Sequence, residues 1–305
     1  FRTKSQKKER VIYGVYDNFD KGFFVKLNDF LIDHSKVTLK TLCDFNQNKL
    51  TEMKTNYPNK IITDDSKVVL SDSDINFVSI ASYDNFHTEQ IISALDNKKH
   101  VFIEKPICLH KSELDQIVST LKRNTKCNIS SNLVLRTNPL FKKVKQNIKS
   151  NEMGKIFYIE ADYLWGRISK LDEWRAEMEY YSIIHGSAIH MIDLIIWLLD
   201  EKPYEVKTYG NNIATQKYRL KYNSFAVILL KFKSGLIVKI TGNGGCVHPH
   251  FHSLKIFGTK KTVSHDINGS FFIESSDPKH DLIKINEPYP AKNMRQDILV
   301  SFVDS

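Results

Sequence analysis

Between Arg10 and about Ile107, short β-branched or apolar runs alternate with amphipathic stretches of helix length, and this alternation constrains the fold more than any other feature. RVIYGVY, VTLKTLCDF, NFVSIAS and HVFIEKPI have the length and residue types of strands. Between them, DKGFFVKLNDFLIDH, NQNKLTEMKTNYPN and HTEQIISALDNK repeat apolar residues at helical spacing. Strands and helices in strict alternation build βαβ units, so this half is expected to be a doubly wound parallel sheet. Residues 111–124 (KSELDQIVSTLKRN) add a helix opened by Ser112, with Asp115 three positions on as in a capping box. A domain boundary is expected near residue 128.

Beyond that point the pattern changes. KIFYIEADYLW, YEVKTYGNNI, SFAVILLKFKSG, LIVKITGN, FHSLKIFGTKKTV and SFFIESS read as strands separated by turns, with one strong helix at 186–199. Strands joined by turns as short as KSG pair antiparallel. Residues 129–305 are therefore expected to form an α+β domain around a large open, mostly antiparallel sheet. A sheet of that size needs a cover, so a homodimer or homotetramer through the open face is expected.

Composition excludes several classes. With 41% hydrophobic and 26% charged residues, the 305-residue chain can bury two ordinary cores beneath a soluble surface. Of the +9 net charge, residues 1–10 (FRTKSQKKER) carry +4, so the body is nearly balanced and no nucleic-acid partner is expected. A modest positive excess suits an anionic small molecule equally well. Cys43, Cys108, Cys127 and Cys246 lie far apart without a C-x-x-C pair, which implies neither disulfides nor a zinc knuckle and fits a reducing compartment. VIYGVY is followed at once by Asp17, so it is not a secretory signal, and the apolar run Leu194 to Leu199 is too short to span a membrane. A cytoplasmic protein is expected. The chain starts at Phe1 and stops inside MRQDILVSFVDS, so both ends are expected to be incomplete.

Candidate chemistry clusters where strands of the first half end. The first strand reaches Gly14, and Asp44 closes the second about thirty residues later, where a carboxylate can accept hydrogen bonds from a ribose diol. An acid there favours NAD over NADP. The turn itself reads Gly14-Val15-Tyr16-Asp17-Asn18-Phe19, so only the first glycine of G-x-G-x-x-G is present. Tyr16 stands where the backbone should approach a pyrophosphate, and Asp17 and Asp20 bring negative charge to a phosphate-binding position. The fourth strand ends in Glu104-Lys105-Pro106; a lysine at the carboxyl edge of a parallel sheet faces the ligand crevice, and the proline after it can take the cis bond that fixes its direction. The preceding strand ends in Ala81-Ser82-Tyr83-Asp84-Asn85-Phe86-His87.

That stretch is similar to A-T-P-N-x-x-H, and Glu104-Lys105-Pro106 to E-K-P. Ala188-Ile189-His190-Met191-Ile192-Asp193 is similar to G-x-H-x-x-D. Three landmarks in this order resemble the glucose-fructose oxidoreductase / inositol dehydrogenase / MocA family of sugar oxidoreductases across nearly the whole chain. YSIIHGSAIHMIDLIIWLLDEKP and GNGGCVHPHFHSLKIFGTKKT further resemble a branch linked to surface polysaccharide and sugar nucleotides. The resemblance implies a Rossmann-type half that binds NAD through Gly14, Tyr16, Asp44, Ser82, Asp84, His87, Glu104 and Lys105. It implies that Lys105 contacts the oxidised hydroxyl of a sugar or sugar nucleotide and that His190 accepts its proton. An imidazole titrating near neutrality suits that step, and a lysine near a cationic nicotinamide would itself become a usable acid or base. Either group remains open as the base.

His190, Asp193 and Trp197 share one helix face, so Asp193 could meet substrate or orient His190. Many relatives carry an acid four residues before the histidine, where Gly186 stands. Asn132, Arg136, Tyr163, Arg167, Trp174 and Arg175 are candidate substrate contacts, arginine for phosphate and the aromatics for stacking. Cys246, His248, His250 and His252 would share a face if one strand ran through them, a set zinc could use. Pro249 opposes such a strand, and no metal is assigned; His250 and His252 are taken as substrate-facing. Two alternatives stay open: a relative that has lost its cofactor and serves as a binding protein, and a metal-dependent hydrolase using His248, His250 and His252.

Overall fold

The computed structural model describes residues 37–291 and 296–305, and the backbone of 10–15. Tyr16, Asp17 and Asp20, with the helix expected over DKGFFVKLNDFLIDH, lie outside the described residues. The chain divides into two compact units, Phe1–Asn132 with Gln296–Ser305, and Leu133–Arg295.

In the first unit, β1 (Arg10–Val15), β2 (Val37–Cys43), β3 (Ile61–Thr63), β4 (Phe77–Ile80), β5 (His100–Ile103) and β6 (Ile129–Ser131) form one sheet in the order β3-β2-β1-β4-β5-β6. Every described pairing is parallel. β3 and β6, three residues each, are too short to stand out from sequence alone. Five helices accompany them: α1 (Gln47–Asn56), α2 (Ser66–Leu70), α3 (His87–Asp96), α4 (Lys111–Arg123) and, from the far end of the chain, α8 (Asp297–Asp304).

Because helices lie on both faces, central strands are apolar without alternation. Val78, Ile80, Val101 and Ile103 pack with Ile91, Ala94 and Leu95 of α3 on one side. Phe77 and Phe102 join Leu50, Met53, Leu299 and Val303 on the other. Each such side chain, fully buried, contributes about 1.5–3 kcal/mol. Buried Lys99 donates to the Asp72 and Ile75 carbonyls at 2.5 and 2.7 Å, fastening the loop that leads into β4. The N-cap of α4 is His110 and its N3 residue Glu113, which accepts the His110 N–H at 2.9 Å, so the capping box lies two residues before the expected Ser112/Asp115 pair.

In the second unit, β7 (Ile156–Leu164), β8 (Glu205–Asn211), β9 (Phe225–Lys231), β10 (Ile237–Asn243), β11 (Phe251–Gly258), β12 (Thr262–Asp266), β13 (Gly269–Ile273) and β14 (Ile283–Lys284) lie in the order β14-β13-β12-β11-β7-β10-β9-β8. β7 and β10 pair parallel and the remaining pairs are antiparallel. FHSLKIFGTKKTV, expected as one strand, is the β11–β12 hairpin. α5 (Pro139–Lys149) and α7 (Ile189–Leu199) cover one face. Their Leu140, Phe141, Val144, Met191, Leu194 and Leu198 pack on Ile159, Ala161, Ile228, Ile240 and Leu254. A four-residue helix, α6 (Trp174–Glu177), lies between β7 and α7.

The opposite face carries Tyr209, Leu229 and Ile237, which are 69%, 40% and 46% exposed. Residues 296–305, expected in the second domain, fold as α8 onto the first unit instead, with Phe302 beside Phe77 and Phe102.

Candidate active site

The carboxyl edge of the parallel sheet gathers the first set of candidates. Asp44 follows β2 and is fully buried. The Asn46 side chain caps α1 by accepting from the Asn48 and Lys49 N–H groups, and the Asn46 N–H donates to Asp44 Oδ1 at 2.8 Å. Oδ2 accepts no hydrogen bond among the described residues and lies 3.5 Å from Lys49 Nζ. Burial raises this carboxyl above the ordinary carboxylate range, against the Asn46 N–H and Lys49. Gly14 lies opposite Leu42 and Ser79 in the middle of the sheet, where the strand order reverses.

After β4, Ser82 Oγ donates to Gln90 at 2.7 Å and buried Asp84 opens a single turn into α3. His87 is fully buried, one ring nitrogen 2.6 Å from the Pro106 carbonyl and the other 3.0 Å from that of Ser82. This residue, assigned to the cofactor from sequence, ties the turn after β4 to the Lys105-Pro106 turn. That peptide bond is cis. Glu104 is likewise buried, its carboxylate accepting from Asn132 Nδ2 at 2.6 Å and from the Lys105 N–H at 3.2 Å, and burial raises its pKa. Glu104 and Asn132 thus engage each other at this edge of the sheet. Lys105 remains half-buried at that edge.

Phe45, missed in the sequence, stands 58% exposed beside the ring of Tyr83 at a centroid distance of 5.9 Å. Its signal was available: an aromatic directly after the candidate ribose-binding acid Asp44.

The second unit gathers the rest. A π-turn over Ile184–Ala188 leads into α7 and sets His190 in its first turn. A side chain at Gly186 would place its Cβ 2.1 Å from Tyr181 Oη, so the position that holds an acid in many relatives is filled here by a buried phenol. His190 is nearly buried, its ring stacked on Tyr163 at 5.6 Å and 13°. Tyr163 Oη is 3.0 Å from His250 Nε2, and the His252 ring meets the Tyr163 ring edge-on at 4.7 Å.

Asp193, expected to orient His190 or meet substrate, is held by Arg136, with Nε to Oδ2 at 2.7 Å and a second bond from the same guanidinium. The pair raises the arginine pKa and occupies both candidates together. Arg175, expected on a phosphate, is buried with its guanidinium over the rings of Trp165 and Trp174 at 5.0 and 4.3 Å. The two indoles hold this guanidinium by cation–π contact. Arg167 stays exposed after Gly166, whose φ of +59° and closeness to the His248 carbonyl admit no side chain.

β11 begins only at Phe251, so Cys246, His248, His250 and His252 do not share a strand face. His252 Nδ1 is 2.6 Å from Tyr289 Oη, and His248 Nδ1 lies by the Pro249 carbonyl. Among the described residues no three His, Cys, Asp or Glu groups are disposed to hold a metal ion, and no helix is long and apolar enough to cross a membrane.

A parallel sheet in this strand order, an acid closing its second strand and a following open-sheet unit together define a two-domain dinucleotide-binding oxidoreductase. Residues 22–132 match the oxidoreductase family described as an NAD-binding Rossmann fold, and residues 141–264 match the GFO/IDH/MocA C-terminal domain. The chain belongs to the GFO/IDH/MocA family of NAD-binding oxidoreductases and is an enzyme of that class. It is 24% identical over 233 residues to myo-inositol 2-dehydrogenase of Thermotoga maritima, covering 75% of this chain and 67% of that one. Its fold matches scyllo-inositol dehydrogenase from Lactobacillus casei, solved with NAD(H) and scyllo-inositol, at a TM-score of 0.79 and 17% identity over 97% of this chain and 89% of the other. A levoglucosan dehydrogenase complexed with NADH matches at 0.80 and 16%, covering 97% and 90%.

Proposed function

We propose that the chain is an NAD-dependent dehydrogenase that interconverts a secondary alcohol and a ketone on a cyclic polyol or sugar. Asp44 carries the cofactor reading. Its Oδ2, held in place yet without a hydrogen bond among the described residues, suits the ribose diol of NAD, and its charge disfavours a 2′-phosphate. Exposed Phe45 beside Tyr83 offers a flat apolar surface to a purine. The nicotinamide, when bound, supplies a hydride acceptor.

On the protein side, Lys105 holds the substrate hydroxyl by its ammonium and His190 takes the hydroxyl proton as the C–H hydride departs. The alcohol thereby loses one proton and one hydride and becomes a ketone. Relatives acting on inositols support a cyclic polyol, while Arg167, His250 and His252 beside β7 and β11 support a sugar nucleotide as the second substrate to test.

Thermal-shift titration with NAD, NADH, NADP and NADPH tests this reading. NAD or NADH at one hundred times its dissociation constant is expected to stabilise the protein by about 2.7 kcal/mol. Losing hydrogen bonds to a charged acceptor costs about 1.5–3 kcal/mol, so Asp44→Ala is expected to weaken NAD about 10- to 100-fold. No response to any of the four dinucleotides would refute cofactor binding and favour the relative that has lost it.

The uncovered sheet face with Tyr209, Leu229 and Ile237 supports self-association through a second copy. Sedimentation at micromolar concentration is expected to give a multiple of the 35.4 kDa chain mass, and a monomer would refute it.

A further inference from the structure

The Tyr163 ring does something its sequence context does not announce. β7 and β11 pair with Tyr163 opposite His252, and both side chains rise from the sheet toward the first turn of α7, where His190 begins. Tyr163, His190 and His252 are 8%, 9% and 7% exposed, so water has little access to their contacts. The phenol lies nearly parallel to the His190 imidazole, at 5.6 Å and 13°, while His250 and His252 meet Tyr163 edge-on at 5.2 and 4.7 Å and brace it from the β11 side. The His250–Tyr163 Oη contact fixes the ring's rotation.

We infer that Tyr163 is a positioning residue for His190: it holds the imidazole in one rotamer and offers the negative face of its ring to the imidazolium that proton transfer creates. This rests on His190 being the proton acceptor. An aromatic face within about 6 Å attracts a cation through the ring quadrupole, and the attraction grows as water is excluded. It is present only when His190 is charged, so it favours the protonated form and leaves the neutral form unaffected.

Asp193, three residues along α7, has both oxygens engaged by Arg136. His185 and Tyr181 lie on the π-turn side, and the phenol fills the space above Gly186. His252, 6.1 Å from His190 between ring centroids, would oppose a second positive charge. Tyr289 Oη accepts the His252 backbone N–H at 3.0 Å and lies 2.6 Å from His252 Nδ1, which fixes that ring beside Tyr163. Tyr163 is thus the aromatic face beneath His190.

The test is a histidine-labelled NMR titration of the full chain, with the His190 resonance assigned by His190→Gln, alongside the pH profile of NAD-dependent turnover. In Tyr163→Leu, or Tyr163→Met should the leucine variant fail to fold, the His190 midpoint is expected to fall by about half a pH unit, and the turnover profile with it. Tyr163→Phe, which keeps the ring face and loses only the hydroxyl, is expected to titrate like the wild type. Equal midpoints in all forms would overturn the inference, as would equal shifts in the Phe and Leu variants, which would assign the effect to the hydroxyl. The titration needs no substrate, so absence of turnover would count against the dehydrogenase reading alone.

Discussion

Replacing His190 by glutamine is expected to lower kcat by about 10²- to 10⁴-fold, the usual contribution of a positioned general base. Glutamine keeps much of the size and some of the hydrogen bonding of the imidazole but cannot take a proton at neutral pH. The loss should therefore fall on kcat, with KM changing far less. Dinucleotide binding is proposed for Asp44 and its neighbours in the other unit, so the thermal response to NAD should persist in this variant. Retention of more than about a tenth of the wild-type kcat would remove His190 from the chemistry and leave Lys105 as the base.

The second large effect concerns acid stability. His265 on β12 is almost fully buried, its Nδ1 2.7 Å from Ser270 Oγ and its ring among Phe141, Phe251 and Tyr289. Burial lowers its pKa from 6.5 to about 4, with Asp266 opposing weakly. The unfolded chain therefore binds a proton that the folded chain refuses between those two values. Stability must rise with pH across this window, and it is lost as pH falls from about 6.5 toward 4. The span corresponds to about 3 kcal/mol for this one residue.

His265→Phe keeps an aromatic ring in the cage and cannot titrate. It gives up the Ser270 hydrogen bond, about 1 kcal/mol, at every pH. Urea unfolding at pH 7, 5.5 and 4 should therefore show a variant less stable than wild type at neutrality but much less sensitive to acid. Carboxylates that protonate in the same range act in both proteins and cancel in the comparison. Parallel losses of stability in both would show that His265 is not the group responsible.

Both residues illustrate how far the chain could be read without coordinates. His190 was found because it sits in a local motif, with Asp193 and Trp197 at helical spacing and Lys105-Pro106 ahead of it. His265 and Tyr289 carry no such mark. His265 meets Ser270 only because β12 and β13 form a hairpin in that register, and it meets Tyr289 only through a fold that brings together residues 24 positions apart. A period-two reading of 262–266 and 269–273 would have placed His265 inward, although not beside Tyr289.

The alternation of strand and helix lengths by itself determined the parallel first sheet, the mostly antiparallel second one and the edge on which Asp44, Ser82 and Lys105 would stand. These follow from periods of 2 and 3.6 and from where a run stops, which are properties of neighbouring residues. Tertiary structure alone decided which candidates were engaged elsewhere. Arg136 and Asp193 are 57 positions apart and neutralise each other, Glu104 is buried against Asn132 28 positions away, and Arg175 lies between two indoles. It alone returned α8 to the first unit, where Leu299 and Val303 complete an apolar face beside Phe77 and Phe102. A charge or an apolar stripe needs a partner, and the partner is chosen by packing in three dimensions, where separation along the chain no longer counts.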